Sequence, residues 1–456
     1  MNSPTKLNNQ PTRRDFLKTG TWAAAVVAAP TIVPSSVFGA QAPSNRITMG
    51  CIGLGGMGTA NMRAFLNNQE VQILAVCDPV RASNEYGHWY RHGWNGNWFG
   101  RDSARQIVND HYSEQSRSGN YQVCDSYVDF REITSRSDID AVTVVTPDHW
   151  HAIISVAAAN TGKHIYCEKP LTLTIDEGKA MVQAVRCNGV ILQTGSHERS
   201  KPKSRLMCEL VRNGYIGRLK QIEVRVGPNH RKAPTDAWQP NPVPEWLDYN
   251  MWLGPAPWAA YHKDRCLYKF RFLMDYSGGN LTNLGAHSID LGQWGNGTDH
   301  TGPIEVEDLG GEFPKNGLFD VATKVNFRAR YENGVELTCK TGHPTTFVRF
   351  HGTEGWISLD GRSQPAGLFK KNIGPHEIHL YHSINHHQNF IECIKNHKEP
   401  AAPVEVGHRS AIICHLGNIA MKLKRKLQWD PQKELFVNDE EANRMLSKPM
   451  RSPWRL

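Results

Sequence analysis

Between Ile47 and Gly58 the chain reads Ile-Thr-Met-Gly-Cys-Ile-Gly-Leu-Gly-Gly-Met-Gly, and this stretch leaves few folds open. From Ile47 to Gly53 only Thr48 is polar, as in a strand buried on both faces. Gly53, Gly55 and Gly58 then fall in a G-x-G-x-x-G spacing that runs into a helical segment, Thr59 to Leu66. The first glycine makes a tight turn and the second lets backbone approach a pyrophosphate. The third lets helix and strand pack closely, with the helix N-terminus facing the phosphates. A second apolar strand, Val71 to Cys77, ends in Asp78, 20 residues past Gly58, where a ribose-binding carboxylate belongs. Strand, loop, helix and acid together predict a dinucleotide site formed by Gly53, Leu54, Gly55, Gly56, Met57, Gly58 and Asp78. An aspartate there favours NAD over NADP, because it repels a 2′-phosphate.

The alternation of strand and helix continues. Ala141 to Val145 is a buried strand ending in Thr146-Pro-Asp-His-Trp-His151, and a helix from Ala152 to Asn160 follows. The strand His164 to Cys167 leads into Glu168-Lys-Pro170. Thr174 and Glu177 form a capping box for a helix closed by Gly189, and the strand Val190 to Thr194 ends in Gly195-Ser-His-Glu-Arg199. Such alternation predicts a doubly wound parallel sheet. Ligands bind such sheets beyond the carboxyl ends of the strands. That edge adds Thr146, Pro147, His149, His151, Glu168, Lys169 and Pro170 to the cofactor contacts. From about Leu219 the pattern becomes alternating, at Gln221–Val226 and Ala322–Ala329, and Val335–Cys339 and Gly355–Leu359 read as further short strands, which predicts a second, mixed sheet in an α+β domain. Pro228 to Tyr276, rich in Pro, Trp and Tyr, reads as a long ordered loop walling a pocket. His386–His397 and Val406–Lys424 read as helices returning to the first domain.

Residues 1–42 stand apart. Thr12-Arg-Arg-Asp-Phe-Leu-Lys18 precedes a short apolar run, Thr21 to Val33, and small residues around Gly39 to Ala42. This resembles a twin-arginine export signal and implies a periplasmic or other extracytoplasmic protein, with no membrane attachment after processing. The formal net charge is +8; Lys6, Arg13, Arg14 and Lys18 against Asp15 account for +3, leaving a modest +5 without any basic block. Nucleic-acid binding is not expected. None of the ten cysteines makes a C-x-x-C pair, so free thiols are expected. A Trp-, Gly- and His-rich segment, Asn84 to Gly100, includes His88 and His92 but offers no third ligand, and no metal site is expected.

The constellation of G-x-G-x-x-G, Thr146-Pro-Asp, Glu168-Lys-Pro and Gly278-Gly-Asn-Leu-Thr-Asn-Leu-Gly-Ala-His-Ser-Ile-Asp290 resembles the glucose–fructose oxidoreductase and inositol dehydrogenase (Gfo/Idh/MocA) family over residues 46–430. The resemblance implies a Rossmann domain followed by an open mixed sheet, bound NAD(P), and a pocket for a sugar or polyol between them. It places catalysis on Lys169 and on His287. Where the family often has aspartate, four residues before that histidine, this chain has Asn283. Proton removal from a secondary alcohol at neutral pH needs a group with a pKa near 7, which a lysine lowered by burial or a histidine supplies. His197, Arg199, Tyr268, Arg271 and Asn283 join Lys169 and His287 as expected substrate contacts. The expected organisation is a Rossmann domain over 46–170, a mixed-sheet substrate and oligomerisation domain over 171–385, and C-terminal helices and tail over 386–456. The protein is expected to assemble as a homodimer or homotetramer. The expected activity is an exported oxidoreductase acting on a sugar, polyol or glycoside alcohol with tightly held cofactor. The alternatives are an NAD-dependent glycoside hydrolase or lyase that oxidises its sugar transiently, and a non-catalytic sugar-binding protein.

Overall fold

The structure, a computed structural model, describes residues 45–85, 98–115, 123–228, 238–343 and 345–456. The twin-arginine stretch, most of the segment that holds His88 and His92, and residues 229–237 of the expected pocket wall lie outside the described residues.

Six strands form the first sheet: β1 (Ile47–Ile52), β2 (Val71–Cys77), β3 (Asp125–Tyr127), β4 (Ala141–Val144), β5 (His164–Cys167) and β6 (Leu192–Thr194). Their order is β3-β2-β1-β4-β5-β6, with every pairing parallel. The order reverses between β1 and β4, so the carboxyl ends of these strands open a crevice there. Helices cover both faces, which is why β1 and β4 are buried and mostly apolar, with Thr48 and Thr143 as their polar residues, rather than alternating. One helix, Ile175–Asn188, is delimited as the sequence requires. Thr174 and Glu177 make the reciprocal capping box, and Gly189 closes the helix in the left-handed conformation at φ +62°. This helix crosses over to β6, so the parallel sheet continues past residue 170, where the sequence reading ended the first domain.

The second sheet has nine strands: β7 (Leu219–Val226), β8 (Glu305–Asp308), β9 (Asn326–Arg330), β10 (Glu336–Thr341), β11 (Phe347–Gly352), β12 (Trp356–Ser358), β13 (Ser363–Gln364), β14 (Lys426–Asp430) and β15 (Leu435–Phe436). It is mixed: β10 runs parallel to β7, and β11 and β9 run antiparallel to their neighbours. One face packs on the helices Pro202–Arg212, Asn280–Asn296 and Val404–Leu423 through Ile222, Val224, Leu337, Phe327 and Phe350. The alternating burial of β9 and β10 leaves charged residues such as Arg328, Arg330 and Lys340 on the other face. The helix Val404–Leu423 serves both layers. Val404 and Ala411 join the core of the parallel sheet, and Ile412 to Met421 join that of the mixed sheet. Phe390, Ile391 and Ile394 of the helix His386–Asn396 pack with Phe65 and Tyr166 against the first sheet.

Candidate active site

The glycine-rich loop has the shape its spacing requires. Gly53 sits at φ +84°, and a Cβ there would lie 2.5 Å from the Val145 carbonyl oxygen. A Cβ on Gly58 would lie 1.8 Å from the Gly53 carbonyl oxygen, so helix and strand touch where only glycine fits. The helix Gly56–Leu66 begins behind Gly55, which has no side chain to cap it. Its first amides therefore face the cavity that Gly55, Gly56, Met57 and Gly58 line. Leu54 turns its side chain into the core, and its N–H donates to Asp78 Oδ2 at 2.5 Å. Asp78 Oδ1 accepts from the Val80 N–H at 2.8 Å. Each oxygen keeps a second lone pair, and Asp78 also lines the cavity. Across it, Thr146 Oγ1 is buried without a partner. A cradle closed to any Cβ, uncapped helix amides, an edge carboxylate and an orphaned hydroxyl together fit a dinucleotide. Gly58→Ala tests the cradle. The backbone shift it forces costs about 1–3 kcal/mol, so NAD affinity should fall on the order of 10- to 100-fold. A fluorescence titration with NAD checks this, and unchanged affinity would show that the loop does not carry the cofactor.

The Thr146–His151 and Glu168–Pro170 segments contribute unequally. Thr146, Pro147, Glu168, Lys169 and Pro170 line the cavity. His149 and His151 do not, which corrects their expected cofactor role: both begin the helix Asp148–Asn160 but turn into protein. His149 Nε2 donates to the Trp252 carbonyl at 3.1 Å, with its ring against Trp252 and Tyr276. Burial pushes its pKa down to about 3, so it is neutral. The two ring nitrogens of His151 face the carbonyl oxygens of Thr146 and Pro170. Burial lowers the pKa of His151, but Cys167, Asp148 and the Pro170 carbonyl outweigh burial and raise it to about 10. Glu168 accepts from Asn61 Nδ2 at 3.0 Å and from the Lys169 N–H at 3.2 Å, and pairs with His197 Nε2 at 3.3 Å. Burial raises the Glu168 pKa, but His197 and Lys169 hold it well below the usual carboxylate range.

On the opposite wall, Lys169 Nζ donates to Asn283 Oδ1 at 2.8 Å and to the Asn283 carbonyl at 3.1 Å. Burial lowers the Lys169 pKa and Glu168 opposes it. Asn283, Tyr268 and Arg271 share the cavity with Lys169. The Arg271 guanidinium lies 3.8 Å from the centroid of the Tyr268 ring and donates to the Tyr268 carbonyl. His287, one turn beyond Asn283 on the helix Asn280–Asn296, is not part of the cavity wall. Burial and the charge of Lys169 push its pKa well below the ordinary histidine range, and its Nδ1 is buried without a partner. The structure sets Asn283 in hydrogen-bond contact with Lys169, and His287 within reach of the lysine's charge.

Two expected substrate contacts are spent elsewhere. Arg199 is 2% exposed; its Nε meets both oxygens of Asp290 at 2.9 and 3.0 Å, and its terminal nitrogens meet Asp299 at 2.8 and 3.0 Å. It lies over Trp294 and ties the chain after β6 to the helix Asn280–Asn296. His197 is taken up by Tyr166 and Glu168 and is absent from the cavity wall. The sequence reading missed Asp148, which is 5% exposed and lines the cavity beside Lys169. Ser277 Oγ donates to its Oδ2 at 2.5 Å. Burial raises the Asp148 pKa, against His151, Ser277, Arg271 and Lys169. The signal was present in Thr146-Pro-Asp, an acid at the carboxyl end of a parallel strand. All ten cysteines are free thiols. Among the described residues no His, Cys, Asp or Glu group is arranged to hold a metal ion, and no helix is long and apolar enough to cross a membrane.

A Rossmann sheet with a glycine cradle, joined to a mixed sheet whose helix presents Asn283 to Lys169, defines a dinucleotide-binding enzyme class. The chain belongs to the Gfo/Idh/MocA oxidoreductase family: the family's NAD-binding Rossmann fold matches residues 47–196 and its C-terminal alpha/beta domain matches 210–456. It is similar to the levoglucosan dehydrogenase of Pseudarthrobacter phenanthrenivorans, 30% identical over 258 residues covering 50% of this chain and 57% of the relative. It is similar also to the 1,5-anhydro-D-fructose reductase of Ensifer adhaerens, 39% identical over 297 residues covering 62% of this chain and 77% of the relative. A glycosyl hydrolase family 109 protein of Shewanella is 26% identical over 200 residues, covering 43% of this chain and 38% of the relative. The chain thus spans only part of the length of these curated relatives. Two solved structures share the fold. The aldose-aldose oxidoreductase of Caulobacter crescentus has a TM-score of 0.56 at 18% identity, covering 84% of this chain and 99% of that one. The scyllo-inositol dehydrogenase of Lactobacillus casei has a TM-score of 0.55 at 18% identity, with the same coverage.

Proposed function

We propose that this protein oxidises a secondary alcohol of a sugar or polyol with NAD, using Lys169 as the base. The observation that carries this reading is the anchoring of Lys169 Nζ by Asn283 in the same cavity as the glycine cradle. NAD, when bound, accepts the hydride. The protein's residues handle the proton. Burial favours the neutral Lys169 amine, which takes the hydroxyl proton as the C–H bond gives up its electron pair and the C–O bond becomes a carbonyl. Asn283 fixes the amine, and the Glu168 carboxylate is the leading charge that balances the ammonium that forms. Asp148 and Arg271 supply hydrogen-bonding groups for neighbouring hydroxyls. The test is a panel of levoglucosan, 1,5-anhydro sugars, scyllo-inositol and aldoses with NAD, followed by the absorbance of reduced nicotinamide.

Asp78 should select NAD over NADP. Burial pushes its carboxyl up to about 6, against the Leu54 and Val80 amides. The ionised form is the acceptor for a ribose hydroxyl, so NAD should bind more tightly as pH rises through that value. Affinity is expected to be on the order of 10-fold weaker at about pH 5 than at about pH 7. Titrations of NAD and NADP at both pH values check this; pH-independent binding, or tighter NADP binding, would show that Asp78 does not hold the ribose.

A second reading is favoured by the similarity to glycosyl hydrolase family 109 proteins: this protein would oxidise its sugar, cleave it and re-reduce it, with no net change in NAD. A closed cycle would also suit an export signal at Thr12–Lys18, since a pathway for folded proteins would let the enzyme carry its cofactor with it. Protein purified without added NAD and dialysed extensively would then retain dinucleotide and cleave glycosides without added cofactor. An empty protein that needs stoichiometric NAD would leave the simple dehydrogenase.

A further inference from the structure

Two loops form the upper rim of the cavity, Thr146–Asp148 after β4 and Glu168–Pro170 after β5, and His151 joins them. Its Nε2 lies 2.9 Å from the Thr146 carbonyl oxygen and its Nδ1 2.8 Å from the Pro170 carbonyl oxygen. A main-chain carbonyl only accepts. A neutral imidazole has one N–H, so it would satisfy one carbonyl and turn a lone pair toward the other. Both bonds form together only when both nitrogens carry hydrogen. The ring is then a cation in a position 1% exposed. A buried charge needs a partner. The charged and titratable groups around it are Asp148 and His149 on its own helix, Cys167 on β5, and Glu177 on the helix Ile175–Asn188. His149 is neutral, and the Glu177 carboxylate is already held by the Leu173 and Thr174 amides. Cys167 and then Asp148, which lines the cavity, are the groups that favour the charged ring, and Asp148 is the carboxylate of the two.

We propose that His151 is a positioning residue, held as an imidazolium, that fastens the Thr146 loop to the Lys169–Pro170 segment. Its side chain is buried and does not line the cavity. Through Thr146 it fixes one rim loop of the dinucleotide cleft, and through Pro170 it fixes the other, which carries Lys169. The spacing between hydride acceptor and base is thereby fixed by one ring. This inference rests on the reading of the cavity as a dinucleotide site.

The test uses the full chain labelled with ring-15N histidine. At about pH 8, where an ordinary histidine is neutral, one ring should show both nitrogens protonated, and that signal should vanish in His151→Gln. In titrations with NAD, His151→Gln and His151→Phe should each bind on the order of 10-fold more weakly than the parent. A His151 ring with one protonated nitrogen at about pH 8 would overturn the proposal, as would folded variants that bind NAD as the parent does. If neither variant folds, the parent spectrum still decides. A parent chain that does not bind NAD at all would overturn the reading of the cavity, whereas the ring's protonation is read independently of it.

Discussion

Lys169→Ala is expected to lower turnover on the order of 10²- to 10⁴-fold, while NAD affinity stays within about threefold of the parent, a shift of less than about 1 kcal/mol. The expectation follows from where the amine sits. Its Nζ is bonded to Asn283 at 2.8 Å in a cavity shared with Asp148 and Arg271, and no other lysine lines that cavity among the described residues. The base must be neutral to accept a proton, so oxidation should speed up as pH rises through the Lys169 pKa. Asn283→Asp places a negative charge against the ammonium and stabilises it. The acidic limb of the rate profile should therefore move to higher pH in that variant. His287→Ala should have the smaller effect, because the cavity wall does not include His287. Steady-state rates over a pH series check all three variants. A His287→Ala rate as low as that of Lys169→Ala would return the histidine to the mechanism.

Arg199→Ala is expected to destabilise the fold by about 3–5 kcal/mol, the usual consequence of leaving buried charge without its partner. Asp290 is fully buried, its Oδ1 accepting from both Arg199 and Ser410, and Asp299 loses its partner as well. The denaturant midpoint should fall accordingly, with substrate KM little changed in protein that remains folded. Asp290→Ala should behave in the same way. A variant with an unchanged midpoint and a much higher KM would show instead that Arg199 meets substrate.

The comparison of Arg199 with the glycine loop shows what a sequence makes legible. Gly53, Gly58 and Asp78 were readable because their roles follow from local geometry: a tight turn, a close helix–strand approach, and an acid at a strand end. Thr146, Pro147 and Lys169 were readable because the parallel topology assigns the carboxyl ends of β4 and β5 to the ligand. His149, His151, His197 and Arg199 lie on the same edge in sequence, yet they turn inward. Their partners, the Trp252 and Pro170 carbonyls, Tyr166 and Asp290, come from other elements, and only packing decides that. Asp148 had a local signal, an acid after a parallel strand, but its bond to Ser277 spans 129 residues and was not readable. Asn283 and His287 stand four apart and share a helix face, so periodicity alone does not say which one meets Lys169. The short strands β8 and β14 pair across more than a hundred residues of chain, and β15 is only two residues long, so they carried little local signal.

The central claim is that this cavity transfers hydride from a sugar or polyol alcohol to NAD with Lys169 as base. A single-turnover experiment tests it most directly: NAD-loaded protein is mixed with each member of the carbohydrate panel, and the near-ultraviolet absorbance of reduced nicotinamide is followed in parent and Lys169→Ala protein. The account predicts a rise in the parent with at least one member, and a rise on the order of 10²-fold slower or more in the variant. Equal rates in the two proteins, or no reduced nicotinamide in the parent with any member, would contradict it.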